Sequence, residues 1–396
     1  MYLQTGKKEE CTGCGACVDC CPKGCISLCP DQNGFVLPVV DKNQCINCKL
    51  CEKVCPDFKV SEIGNQIRNC QYAINPDRAV TDHSTSGGVF YELAKHVIED
   101  GGVVFGAAWT EKYQLRHICA TTLDELKPLM GSKYVQSDCT GVYSSVKNYL
   151  KEGKRVLFVG TPCQVAGLKK FIGQGNENLL LVDILCHGVP SQKLFDQWVD
   201  EEEAKNGKIV FLKFRDKKKY GWQHCLTYVT EKNGRIIRHD VLPAFNPYYH
   251  LFMTGYTLRD SCYACRYACE ERVGDITLGD YWGAAANKAI NYLDMKNGVS
   301  LVLCNTEKGT QAVHNLSQVE FHSCDFEKEK KRNLPLREAV KKPLNRDVLL
   351  EIPSLESTYN GVISRKAIMK EKIKKLIPRK LYYFVSGQIS KNTQQS

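Results

Sequence analysis

No run of about 18 apolar residues occurs anywhere in the 396-residue chain, so the sequence carries no candidate membrane-spanning helix. The start, MYLQTGKKEEC, lacks the apolar segment of a secretory leader. No G-x-G-x-x-G spacing surrounds the glycines at Gly87 and Gly88, which excludes the dinucleotide fingerprint there. Nor does any acid/base pair stand out. Cysteine, by contrast, is plentiful, at 22 residues. Cysteine-rich secreted scaffolds are short, and this chain is not. Clustered thiols in a leaderless chain of this length point to metal ligation in a reducing cytoplasm. The net charge of +10 is concentrated late in the chain, where Arg365 to Lys380 is densely basic. A solvated tail accounts for most of it, and no nucleic-acid groove is required.

Eight cysteines fall in two matching runs, Cys11-x2-Cys14-x2-Cys17-x3-Cys21-Pro and Cys45-x2-Cys48-x2-Cys51-x3-Cys55-Pro. Three thiolates at three-residue steps wrap one face of a cuboidal iron–sulfur cluster. The fourth, followed by proline, turns to the neighbouring cluster, as in bacterial two-cluster ferredoxins. The spacing therefore assigns Cys11, Cys14, Cys17 and Cys55 to one 4Fe–4S cluster, and Cys45, Cys48, Cys51 and Cys21 to the other. Zinc would leave the third cysteine of each run unused. Cys20, Cys25 and Cys29 are not needed by the rule and are read as small buried residues, with Cys20 able to exchange for Cys21.

The chain divides on this reading into an α+β ferredoxin-type unit (1–60), an α/β region with a mainly parallel sheet and a hairpin (70–150 and 151–320), and a charged helical tail (321–396). The runs 103–109, 155–160 and 179–185 read as strands. A helix is expected after Gly88, and another beginning at VAGLKKF after a TPCQ loop. Asn233-Gly234 between alternating runs signals a hairpin. Cys163 and Cys186 follow buried strands, where ligands gather in open α/β sheets. Cys262 and Cys265 form a separate CxxC. Together these four could serve a third 4Fe–4S cluster, or the first two could be ordinary buried thiols.

The segments STSGGVFYELA, GSKYVQS, VLFVGTPCQVAGL, CHGVPS and CYACRYACEERVGDITLGDYWG, in this order over roughly residues 70–320, resemble the coenzyme F-420 hydrogenase/dehydrogenase beta-subunit family. The resemblance implies a third 4Fe–4S cluster on Cys163, Cys186, Cys262 and Cys265, with Cys269 a competitor for the last position. It also implies FAD lined by Ser84, Thr85, Ser86, Gly87 and Gly88 and by the GSKYVQS segment with Lys133 and Gln136. Free N–H groups before a helix suit a pyrophosphate, although a plain N-cap would look the same. Thr161, Pro162 and Gln164 flank Cys163 and are placed in the same cavity; Asp280 and Trp282 are further pocket candidates. The expected activity is electron relay between the clusters and FAD, with hydride exchange to a deazaflavin or another organic substrate. The expected partner is ferredoxin or another redox protein. The alternative is a non-catalytic subunit docked on a separate catalytic chain. The basic tail, interrupted at Pro378, suits a peripheral membrane or protein contact.

Overall fold

The computed structural model describes residues 1–58, 64–173, 175–351 and 353–376, so Pro378 and the rest of the basic tail beyond Leu376 lie outside the described residues. Near the N-terminus, β1 (Ile26–Pro30) and β2 (Val36–Val40) pair antiparallel between the two cysteine runs. Short helices, Ala16–Asp19 and Leu50–Val54, carry the ends of those runs.

The following chain supplies β3 (Asn69–Ile74), β4 (Val103–Trp109), β5 (Leu115–Ala120), β6 (Val156–Gly160) and β7 (Leu179–Ile184). Strands β8 (Lys208–Phe214), β9 (Leu226–Lys232) and β10 (Arg235–Val241) make a separate antiparallel sheet. The chain then returns through β11 (Ile276–Asp280), β12 (Ser300–Cys304) and β13 (Glu320–Ser323). The large sheet has the order β13-β3-β12-β11-β7-β6-β4-β5. Its centre, β11-β7-β6-β4, is parallel, and the outer pairings are antiparallel. The sheet is thus mixed, with the expected parallel character confined to the middle. Between β4 and β5 only five residues intervene, too few for a parallel crossover.

Alternation along the central strands fills two cores. Val104, Leu157, Val182, Ile276 and Val302 face one side, under the helix Val89–Glu99. Val103, Phe105, Val156, Phe158, Leu179 and Leu181 face the other, under the helices Val142–Lys151 and Pro162–Ile172. Strands buried on both faces read as continuous apolar runs, as these do. Cys14, Ala16 and Val54 belong to the second core, so the N-terminal unit packs on that face of the sheet. The hairpin is present: Asn233 and Gly234 both have positive φ, 54° and 73°, as a two-residue turn between right-twisted strands requires.

One boundary differs from the sequence reading. The helix after β6 starts at Pro162, so Cys163 stands in its first turn and not in a loop. Proline suits a first helical position because its missing N–H would have no helical partner. Gln164 Oε1 accepts from the Thr161 backbone N–H at 3.0 Å, closing the entry.

Candidate metal centres

Around residues 1–58 the thiols gather in two groups. Cys11, Cys14, Cys17 and Cys55 line one cavity, beside Gly13 and Pro56. Cys21, Cys45, Cys48 and Cys51 line a second, beside Pro22 and Leu50. The fourth cysteine of each run is therefore crossed to the other group. Burial raises the Cys14 and Cys17 thiols, and holds Cys55 at about 11. Cys25, read from the sequence as a small buried residue, lines the second cavity with its sulfur 3.4 Å from Cys21 Sγ. Its offset from both runs gave no signal of this. The Cys20 thiol donates to the Cys17 carbonyl at 3.4 Å, and Cys29 is exposed.

A third group forms from distant segments. Cys163 comes from the helix start after β6, Cys186 from the end of β7, and Cys262 and Cys265 from a short helix and the turn that follows it. Burial pushes the Cys163 thiol up to about 12, and the neighbouring Cys265 and Cys262 add to it. Cys186 is raised well above its ordinary value by burial and then by Cys262, Cys163 and Cys265. Cys262 stands at about 11, again through burial. As free thiols all are protonated near neutral pH, so loading a metal would release protons. Cys269 is not in this group. Its thiol donates to the Arg266 and Glu271 carbonyls of its own loop, at 3.4 and 3.5 Å. Among the described residues no three His, Cys, Asp or Glu side chains close tightly enough to hold a single metal ion.

Two buried networks hold these segments. Arg272 and Asp183 pair at 2.7 Å, 1% and 0% exposed, and Asp183 also accepts from the Gly274 N–H and Thr277 Oγ1. This ties the chain after Cys265 to the strand that leads to Cys186. On the other side, His117 Nε2–H donates to the Val159 carbonyl at 3.0 Å, which leaves Nδ1 to accept from Ser137 Oγ at 2.9 Å. Gln164 Nε2 donates to Ser137 Oγ, and Thr161 Oγ1 lies 3.2 Å from Cys163 Sγ. Thr161, Pro162 and Gln164 thus order the helix that presents Cys163.

The residues expected to line a flavin separate. Gln136 Nε2 donates to the Thr12 carbonyl at 2.9 Å, beside the first cysteine run. Ser84 Oγ donates back to the Val80 carbonyl. The Gly87 N–H donates to Ser300 Oγ, and the carboxylate of buried Glu92 lies in the first turn of the helix that follows. A Cβ at Gly87 would come 2.5 Å from the Ala73 carbonyl oxygen, so close strand packing already accounts for that glycine. The Gly87 N–H is thus already taken and unavailable to a pyrophosphate.

Ser86, however, joins a polar network. Its hydroxyl donates to Asp280, whose second oxygen pairs with Arg215 Nη1 at 2.8 Å. Lys217 Nζ donates to the carbonyls of Thr81, Ser86 and Asn297, and burial pulls it down to about 7. Thr85 Oγ1 accepts from the Ser132 N–H at 2.7 Å, which brings the GSKYVQS segment alongside. Lys133 Nζ donates to the Met130 and Gly131 carbonyls, with burial pulling it to about 7. Among the described residues, three buried donors here lack a partner, Arg215 Nη2, Trp222 Nε1 and Gln223 Nε2. The half-exposed Trp282 stacks on Trp222 at 5.5 Å beside them. Neither Arg215 nor Gln223 belongs to a motif singled out in the sequence.

Paired thiol groups on an N-terminal unit, docked on a mixed α/β sheet with a further thiol group, define an iron–sulfur protein. Residues 10–58 match the 4Fe–4S dicluster domain, and residues 153–328 match the family described as the C terminus of the coenzyme F420 hydrogenase/dehydrogenase beta subunit. The match to that family's C-terminal domain lies behind the match to the dicluster domain, in the order that the motifs indicated. An uncharacterised ferredoxin of Methanocaldococcus jannaschii is 45% identical over 49 residues, which are 12% of this chain and 62% of that relative's length. A chain of the F420-reducing NiFe hydrogenase complex from Methanosarcina barkeri is 15% identical, with a TM-score of 0.43 over 75% of this chain and 90% of that one. No described helix is long and apolar enough to cross a membrane.

Proposed function

We propose that this chain is an electron-relaying oxidoreductase of a reducing, cytoplasmic compartment, with three 4Fe–4S clusters and a flavin. The observation that carries the reading is the junction between the thiol groups. Buried Tyr267 packs in one core with Cys14 of the first group and with Cys163 and Cys265 of the third. Four soft thiolates fit an iron–sulfur cluster, and the convergence of Cys163, Cys186, Cys262 and Cys265 supplies them. For the ring end of a flavin, the support is the unpartnered donors Arg215 Nη2, Trp222 Nε1 and Gln223 Nε2 beside Trp282, which suit an acceptor-rich ligand. Bound clusters would supply one-electron steps, and FAD would pool two electrons for hydride exchange with a deazaflavin or another organic substrate. The protein's part is position: Arg272 and Asp183 brace the thiol loops, and Lys217 fixes the carbonyls around Ser86. Ferredoxin or another redox protein would meet the exposed side near Cys48.

A second reading is favoured by the occupied helix start at Gly87. Without a pyrophosphate seat there, the chain would relay electrons to a separate catalytic subunit and hold no flavin. Anaerobic preparation with iron, sulfide and flavin analysis separates the two. The enzyme reading expects about twelve irons, from three four-iron clusters, and one FAD. Twelve irons without flavin makes it a relay; eight irons removes the third cluster.

A further inference from the structure

Arg259 is 2% exposed, yet no carboxylate among the described residues is in ion-pair contact with it. Its Nε donates to the Cys11 carbonyl at 2.8 Å, Nη1 to Gln136 Oε1 at 3.0 Å, and Nη2 to the Val36 carbonyl at 2.6 Å. The remaining contact of Nη2 is Cys11 Sγ, at 3.7 Å. The side chain also lies over the Phe35 ring at 5.9 Å. Its hydrogen bonds go to three neutral acceptors, and the one carboxylate that feels its charge, Asp57 on the same cavity, is shared with Arg266 and the N-terminus, so the guanidinium is compensated only in part, and a buried charge short of counter-charge is costly. The one contacting atom that becomes anionic on metal loading is the Cys11 sulfur. Arg259 thus reaches the first thiol group from the chain segment that also carries Cys262, three residues on.

We infer that Arg259 is the built-in counter-charge of the cluster held by Cys11, Cys14, Cys17 and Cys55, and that it raises that cluster's reduction potential above that of its neighbour. This rests on the dicluster reading given above. A cluster on four thiolates is net negative and gains one more negative charge on reduction. Net charge and hydrogen bonds to sulfur set its potential. A buried guanidinium stabilises the reduced form most, so the potential rises. Among the described residues the second thiol group has no such buried cation: Lys23 and Lys49 line its cavity from the solvent side, where their charge is screened. An electron entering at the outer group, near Cys48, therefore leaves that cluster oxidised and reduces the inner one, beside Tyr267. Arg259 makes the inward step downhill.

The test is potentiometric titration of the full chain, anaerobically loaded, with each cluster followed by electron paramagnetic resonance and iron counted. Arg259→Met and Arg259→Gln remove the charge; Arg259→Lys keeps it. With iron retained, both neutral variants should lower one ferredoxin-type midpoint and leave the other. The expected change is at least tenfold in the sharing of one electron between the two, about 59 mV for a one-electron couple. Arg259→Lys should recover most of it. Loss of four irons from the neutral variants but not from Arg259→Lys also supports a counter-charge. Full iron with both midpoints unchanged in the neutral variants overturns it, as does equal iron loss in all three, which would make Arg259 a fastening residue. A parent chain with fewer than two ferredoxin-type signals would instead sink the dicluster reading itself.

Discussion

The N-terminal thiols and the sheet-borne thiols reach similar groupings by opposite means. Cys11 to Cys55 lie on short turns around one two-stranded ribbon, with Phe35, Leu37 and a few neighbours as their buried apolar support. Cys163, Cys186, Cys262 and Cys265 come from segments far apart in the chain, but those segments adjoin central strands, β6, β7 and β11, of a thick, doubly covered sheet. The first arrangement should need its metal to fold, and the second should be pre-formed by packing. A small unit with little core depends on bound metal for its folding free energy, whereas a large core does not.

Chelation is the strongest way to break that contrast. Stripping iron anaerobically should unfold residues 11–58 while strands β6 and β7 keep their structure. Hydrogen exchange read by mass spectrometry should show protection lost in the first and kept in the second. Equal loss in both would mean that the third thiol group is also metal-dependent, and the contrast would fail.

The same contrast governs what the sequence disclosed. The N-terminal groups were readable because their ligands are local, and three-residue steps have one geometric use. The central strands and the Asn233-Gly234 hairpin were readable from apolar runs and turn chemistry. The antiparallel flanks were not, because β3 pairs with β12 and β13, more than two hundred residues away, and no local pattern encodes such a pairing. Gln136 was misplaced for the same reason: its partners at Thr12 and Arg259 are set by docking of the N-terminal unit. Arg259, Arg215 and the Arg272–Asp183 pair are single charged residues, indistinguishable by sequence from solvated ones until burial is known.

Within the pre-formed region, Arg272→Met should be the most damaging single change. It strands the Asp183 carboxylate, fully buried, with only the Gly274 N–H and Thr277 Oγ1 left to it. Breaking a buried pair by removing one partner costs about 3–5 kcal/mol. Denaturant unfolding should show that loss, and Arg272→Met paired with Asp183→Leu should recover part of it. A cost below about 1 kcal/mol, in the range of exposed pairs, would mean the pair is solvated and does not brace the loop.

Cys262→Ala should have a smaller reach, removing about a third of the iron and leaving both ferredoxin-type signals, since each four-iron cluster is a third of the expected total. The sheet should remain folded, because the thiol's contribution to packing is small beside the two cores. If the ferredoxin-type signals vanish as well, the thiol groups are not separable and the crossed grouping near Cys55 must extend to Cys262.

The smallest effect sharpens the comparison most. Cys269 stands four residues after Cys265, is half-buried like it, and competes with it by spacing alone. Its thiol is nevertheless turned into its own loop, donating to the carbonyls of Arg266 and Glu271. Those acceptors lie on the Arg272 side, where the Arg272 Nη1 also donates to the Cys269 carbonyl at 3.3 Å. Cys269→Ala should therefore leave iron content unchanged and cost about 1 kcal/mol or less, the range of a single weak hydrogen bond. Measured beside Cys265→Ala, it gives a direct contrast between two neighbouring thiols of one loop: iron falls by about a third in one and not in the other, as expected for a four-thiolate group built on Cys265. Should the iron fall in Cys269→Ala and hold in Cys265→Ala, the loop presents its other thiol when loaded, and the pre-formed character argued for this region does not extend to its last ligand.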